Sequence, residues 1–308
     1  MIERDIDIDK IGIVKALPKT VDEAYDRILS KSRDSEKAKR ILHNVVAATR
    51  PLTLREMALA LTIRENHRSY SDLDLKSQDW FYENIRDICG LFLTIIESRI
   101  YLLHQTAKEF LVQNDQEICR ESTHGGLRWK HSLRPQDSHR LLTEICVQDL
   151  LFAEFEANPL DNNVMLSQRE VFLDYSAKHW AVVRESHIEV DNAATQSMLR
   201  LCDASSTRFQ TWLRLYWTST DTDFPENFAV LMIASYFGLT AVVKHLLLQL
   251  DNINLDSKDS TYGRSAISWA AGNGFDVVVK LLIKGIGGQL RGFSRIFRKG
   301  AQVDSMDK

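Results

Sequence analysis

The chain has 308 residues, 44% of them hydrophobic and 26% charged, with a net charge of −3. These values fit a globular protein of two or three domains and exclude a global field that would draw the chain to nucleic acid or anionic lipid. No apolar run reaches the ~20 residues that span a bilayer, the acidic N-terminus lacks a secretory pattern, and the cysteines (Cys89, Cys119, Cys146, Cys202) have no paired spacing. The expectation is a reduced, cytoplasmic protein with no transmembrane segment and no disulfide framework.

Residues 1–16 alternate acids with Ile6, Ile8, Ile11 and Ile13 and read as a linker from an upstream domain. Pro18 and Thr20 open a helix whose stripe is Val21, Ala24, Tyr25, Ile28 and Leu29. A second helix carries Ala38, Ile41, Leu42, Val45 and Val46 and stops before Arg50-Pro51. Thr53 three residues ahead of Glu56 is a capping box opening a third helix. Residues 64–78 are polar and loop-like. Trp80 to Cys89 forms a fourth helix with Trp80, Ile85, Ile88 and Cys89 turned inward. Phe92–Ile96 and Arg99–Leu103 are β-branched and aromatic runs separated by Glu97-Ser98, which is hairpin spacing. His104 follows, and Thr106 with Glu109 reads as a second capping box before Phe110 and Leu111. Helices, a small hairpin and a last helix predict a compact winged-helix domain over residues 17–115.

Residues 116–225 read as a helical spacer. Its stripes are Leu142, Ile145, Cys146 and Leu150, then Phe172, Tyr175 and His179, then Phe209, Trp212, Leu213 and Tyr216. Cys119, His124, His131, His139 and Cys146 stand five to eight residues apart, without the close pairs of a zinc knuckle, so no metal is expected.

Residues 226–308 contain a repeat. Ala234 to Lys244 aligns with Ala270 to Lys280 at a constant offset of 36 residues, with Gly238 and Gly274 in register. Small alanines on one helix, a glycine turn and an apolar second helix at this period resemble ankyrin repeats. Asp251 to Asp256 takes the place of the finger loop in this reading. Two repeats rarely suffice alone, so the spacer is expected to cap the first. Lys299 to Asp304 resembles the next finger loop, displaced by an insertion or truncation of a third repeat. That stretch holds Arg291, Arg295, Arg298 and Lys299 with Leu290, Phe293, Ile296 and Phe297. Such a basic amphipathic segment can meet a membrane surface or an acidic partner, or it is simply the end of a truncated repeat.

The front of the chain also resembles a family. Leu17-Pro18-Lys19-Thr20, Tyr25, Ile28-Leu29, Arg50-Pro51-Leu52-Thr53, Cys89-Gly90 and His104 to Leu111 stand in the order of one module. It is the winged-helix domain that follows the NACHT nucleotide-binding domain of fungal STAND-type (NOD-like) proteins, also described as the GPI inositol-deacylase winged helix. The resemblance implies a regulatory module downstream of a P-loop ATPase, in which His104 would sense the β-phosphate of ADP. Gln105 stands where the better-known motif carries Asp. No Gly-Lys pair occurs in the 308 residues, so these residues predict no P-loop, no nucleotide hydrolysis and no cofactor.

The expected fold is mainly α: winged-helix domain with hairpin, helical spacer, ankyrin-type α-solenoid. The expected function is a non-catalytic interaction scaffold that binds a protein partner through Tyr236, Asn252, Asn254, Asp256 and Trp269. The alternative is the back half of a STAND signalling ATPase whose nucleotide domain lies elsewhere. DNA binding is disfavoured, since Thr53 to Ile63, read as the recognition helix, offers only Arg55 and Arg64 nearby.

Overall fold

A computed structural model describes residues 18–113, 127–157, 171–181, 192–249 and 253–285. The linker assigned to residues 1–16, Asn252, and the basic segment after residue 285 lie outside them. The described residues are mainly helical, with one two-stranded antiparallel sheet. They divide into two compact units, the described residues up to 63 with those of 74–142, and residues 64–73 with the described residues from 143 onward.

In the first unit, α1 (Val21–Ser30) is capped by Thr20, whose hydroxyl accepts the Glu23 N–H. Helix α2 (Ser35–Ala47) is capped by Asp34. Helix α3 (Leu54–Thr62) begins with the expected box: the Thr53 hydroxyl accepts from the Glu56 N–H, and the Glu56 carboxylate accepts from the Thr53 N–H. Glu56 is buried, and the Arg50 guanidinium forks onto both its oxygens at 2.9 and 2.7 Å. A buried carboxylate is thereby matched by charge and by three donors.

Helix α4 (Gln78–Cys89) ends at Gly90, where φ is 59° and an added Cβ would stand 3.3 Å from Ile28 Cγ2. Backbone conformation and close approach both require glycine there. Helix α4 differs from expectation in one respect. Its inward face is Phe81, Ile85, Ile88 and Cys89, while Trp80 is exposed. Residues 81, 85 and 88 stand at i, i+4 and i+7 on one stripe, and residue 80 lies about 100° round the helix from residue 81.

Strands β1 (Leu93–Ile96) and β2 (Arg99–Leu102) pair in the register Leu93↔Leu102 to Ile96↔Arg99. Glu97 and Ser98 both have positive φ, 49° and 62°, the signature of a two-residue type I′ turn. The stretch before α3 lies along β2, with Ile100 N–H donating to Leu52 O and Leu54 N–H to Ser98 O. Tyr25 sits at the centre of the core, its ring 5.3 Å from Phe92 and 5.6 Å from Phe110. After α5 (Gln105–Leu111) the chain returns beside it: Leu133 N–H donates to Leu111 O and Gln113 N–H to Leu133 O. The Trp129 N–H reaches the Asp26 carboxylate at 2.8 Å. These bonds carry the unit beyond residue 115 into α6 (Pro135–Leu150), within which the chain passes to the second unit.

The second unit takes in residues 64–73, which contain a 3₁₀ turn, Tyr70–Asp72, with Tyr70 buried. Its helices are α7 (Glu154–Ala157), α8 (Leu173–His179), α9 (Asn192–Leu201), α10 (Thr207–Trp217), α11 (Val230–Tyr236), α12 (Thr240–Gln249), α13 (Ala266–Gly272) and α14 (276–285). Helix α10 packs on α8, α11 on α13, and a chain of aromatic rings joins these layers. Phe237 lies 5.1 Å from Trp180, 5.7 Å from Trp212 and 5.0 Å from Tyr216.

The 36-residue sequence offset is repeated in the backbone. Leu239 N–H donates to Ala234 O and Phe275 N–H to Ala270 O; Gly238 N–H donates to Ser235 O and Gly274 N–H to Ala271 O. Gly274 has φ 77° and open space around its missing Cβ, so the turn conformation alone calls for glycine.

Candidate interaction sites

His104 is built as a helix cap. Its backbone is extended, and Nδ1 accepts the Thr106 N–H at 3.3 Å and lies 3.0 Å from Thr106 Oγ1. The Thr106 hydroxyl is in turn 2.8 Å from the Tyr25 hydroxyl. The expected Thr106–Glu109 capping box is therefore replaced by a His104 cap two residues earlier. An accepting Nδ1 places the proton on Nε2 of an exposed ring, so the outward nitrogen is a donor. Thr106 is drawn instead toward Tyr25 by the tertiary contact, which local spacing does not reveal.

In the second unit, the loop between α12 and α13 folds into a hairpin at residues 258–265, closed by the Lys258↔Ser265 bridge. It comes later than the residue 251–256 stretch assigned from sequence. Its organiser is Asp259, a buried residue that sequence reading missed. Oδ1 accepts the N–H groups of Thr261 and Tyr262; Oδ2 accepts those of Arg264 and the Trp269 indole at 2.9 and 3.1 Å. Four donors satisfy one carboxylate at a tight turn. The signal was present in Asp259-Ser260-Thr261-Tyr262-Gly263, a turn composition. The hairpin is bound to the preceding loop: Ser260 N–H donates to Glu226 O, Thr261 Oγ1 to Phe224 O and Tyr262 Oη to Asp223 O.

The residues nominated from sequence fall on both sides of this hairpin. Asn254 and Asp256 are exposed just before it, where Asn254 Oδ1 accepts the Asp256 N–H. Trp269 is buried behind it, its ring 5.4 Å from Tyr236. Tyr236 is half-buried and shares a 3.1 Å hydrogen bond with the Tyr216 hydroxyl; burial and that partner hold its phenol protonated well above the ordinary range. The groups presented to solvent are Tyr262, Arg264 and Ser268. The Arg264 guanidinium lies 4.8 Å from the Trp269 ring centroid, a cation–π distance.

Elsewhere the titratable groups are structural in their surroundings. Asp149 is fully buried and its pKa is pushed up to about 7, chiefly by desolvation and further by Glu154, with the Ser176 and Tyr70 hydroxyls opposing. The Tyr70 hydroxyl donates to it at 2.9 Å. Burial raises the Cys89 and Cys202 thiols to about 12, so both stay neutral and unreactive. His43 Nδ1 lies 2.8 Å from Ser138 Oγ, but that hydroxyl is wholly buried and donates to Arg134 O, which makes the pair a clip between helices α2 and α6.

Comparison with known proteins bears on the first unit. Residues 25–121 match the family described as GPI inositol-deacylase, winged helix domain. The order of helices, hairpin and final helix above is that of a winged-helix domain. The chain is also 32% identical over 102 residues to the vegetative incompatibility protein HET-E-1 of Podospora anserina. That segment is 32% of this chain and 7% of the relative's length. No solved structure matches the chain. These similarities bear on the winged-helix unit alone.

Proposed function

We propose that the chain is a non-catalytic interaction scaffold, in which residues 226–308 are ankyrin-type repeats presented to a protein partner by the winged-helix unit and the helical spacer. The observation that carries this reading is the doubled helix–glycine turn–helix, with the same backbone hydrogen bonds at a 36-residue offset and a finger hairpin between the copies. Repeats of this kind bind through finger tips and inner helices, and they need caps on their apolar ends. Tyr262, Arg264 and Ser268 are the contact residues favoured by exposure, with Asn254 and Asp256 beside them. Tyr236 and Trp269 support the face from behind.

The test is quantitative affinity capture from a fungal extract with wild type and with Tyr262→Ala/Ser268→Arg. Partners lost only by the variant support the reading; identical recovery of every partner contradicts it.

The likeness to HET-E-1 and the exposed Nε2 of His104 favour a second reading, a regulatory back half of a STAND signalling ATPase. A nucleotide-binding domain supplied from outside these residues would then bring ADP to His104. Calorimetric ADP titration of the chain mixed with such a domain should give heat that His104→Ala abolishes. Heat unaffected by that change contradicts the role of His104.

A further inference from the structure

In winged-helix architecture the helix preceding the hairpin is the one that reads DNA when the domain binds it. Here that helix is α4, Gln78–Cys89, and not the Thr53–Ile63 segment assigned from sequence. Its buried face, Phe81, Ile85 and Ile88, packs on α1, α2 and α3. Its outer face is unusual for such a helix. Asp79, Glu83 and Asp87 recur at four-residue intervals down the middle, with Arg86 as the one base. Trp80, 43% exposed, and Tyr82, 38% exposed, flank that stripe on opposite sides. Three carboxylates repel phosphate, whereas exposed Trp and Tyr beside a charged stripe are the residue types that anchor protein interfaces.

The face already attracts cations. The Lys37 ammonium stands 5.2 Å from the Trp80 ring centroid, and the exposed Arg33 guanidinium is 3.9 Å from Asp87. Within this chain the complementary chemistry is residues 290–299: Arg291, Arg295, Arg298 and Lys299 interleaved with Leu290, Phe293, Ile296 and Phe297.

We propose that the exposed Trp80–Tyr82 face of α4 docks residues 290–299 of a second copy of the chain. Arginines meet the Asp79–Glu83–Asp87 stripe, and the apolar side chains cover the two flanking rings. The pairing is independent of what the repeat face binds.

Sedimentation velocity over a concentration series tests it with three proteins: full chain, Glu83→Lys/Asp87→Lys, and a chain lacking residues 286–308. The full chain should self-associate, and the association should weaken at least tenfold between 50 and 300 mM salt, as expected for screened charge pairs. Each altered chain should be monomeric. An equimolar mixture of the two should associate again, because one retains the face and the other the basic segment. Circular dichroism of each variant separates lost docking from lost folding. A full chain that stays monomeric at ~100 μM, a lysine variant that associates like wild type, or a mixture that stays monomeric would each overturn the proposal.

Discussion

His104 and Asp149 show how one side chain's surroundings decide what it does. The imidazole of His104 caps α5 through an unprotonated Nδ1. Removing it with His104→Ala should cost the first unit about 1 kcal/mol, and His104→Asn, a better cap, should restore most of it. Chemical denaturation of both variants checks this; no loss in the alanine variant would mean the cap is idle. Asp149 binds its proton more tightly folded than unfolded, because burial raises its pKa from 3.8 to about 7. Its contribution is therefore fully present below pH 4 and falls as pH rises toward 7, by at most about 1.4 kcal/mol per unit. Asp149→Asn can still accept the Tyr70 hydroxyl and carries no charge. It should flatten that fall and raise the melting temperature at pH 8. A melting temperature lowered equally at pH 4 and pH 8 would contradict the assignment.

At the scale of elements, the hairpin turn invites improvement. Glu97 and Ser98 occupy left-handed backbone that favours Asn and Gly, and each such residue costs on the order of 1 kcal/mol. Glu97→Asn/Ser98→Gly should stabilise the first unit by about 1 kcal/mol in thermal unfolding, and destabilisation would show that the turn is held by other means. What was legible in the sequence was local. The Thr53–Glu56 box, the Thr20 cap, the Glu97-Ser98 turn and the 36-residue offset all depend on residues a few positions apart or on direct self-similarity. What was not legible depended on distant partners. Tyr25 engages Thr106 from 81 residues away, leaving the cap to His104. Which stripe of α4 faces the core is settled by packing, which buries Phe81, Ile85 and Ile88 and leaves Trp80 exposed. Asp259 could be seen as a turn residue, but its burial follows from Trp269, which closes over it from the next helix.

At the scale of the whole molecule, each unit solves a different packing problem. The winged-helix unit buries a contiguous core around Tyr25, Phe92 and Phe110. The second unit instead joins its helices through a run of aromatic rings from α8, α10 and α11. Tyr216 and Trp217 of α10 lie against Tyr236, and Trp180 and Trp212 lie against Phe237. Helix α13 is then tied on by Trp269 against Tyr236 and by Asn273 Nδ2 donating to Tyr236 O at 2.9 Å. Helices α8, α10, α11 and α13 should therefore behave as one cooperative stack that holds the exposed Tyr262 and Ser268 rigid. Amide hydrogen exchange of the full chain with Phe237→Ala tests it most directly. Protection should fall together in α10, α11 and α13, including amides more than thirty residues from the substitution. Loss confined to α11, with α13 as protected as in wild type, would contradict it.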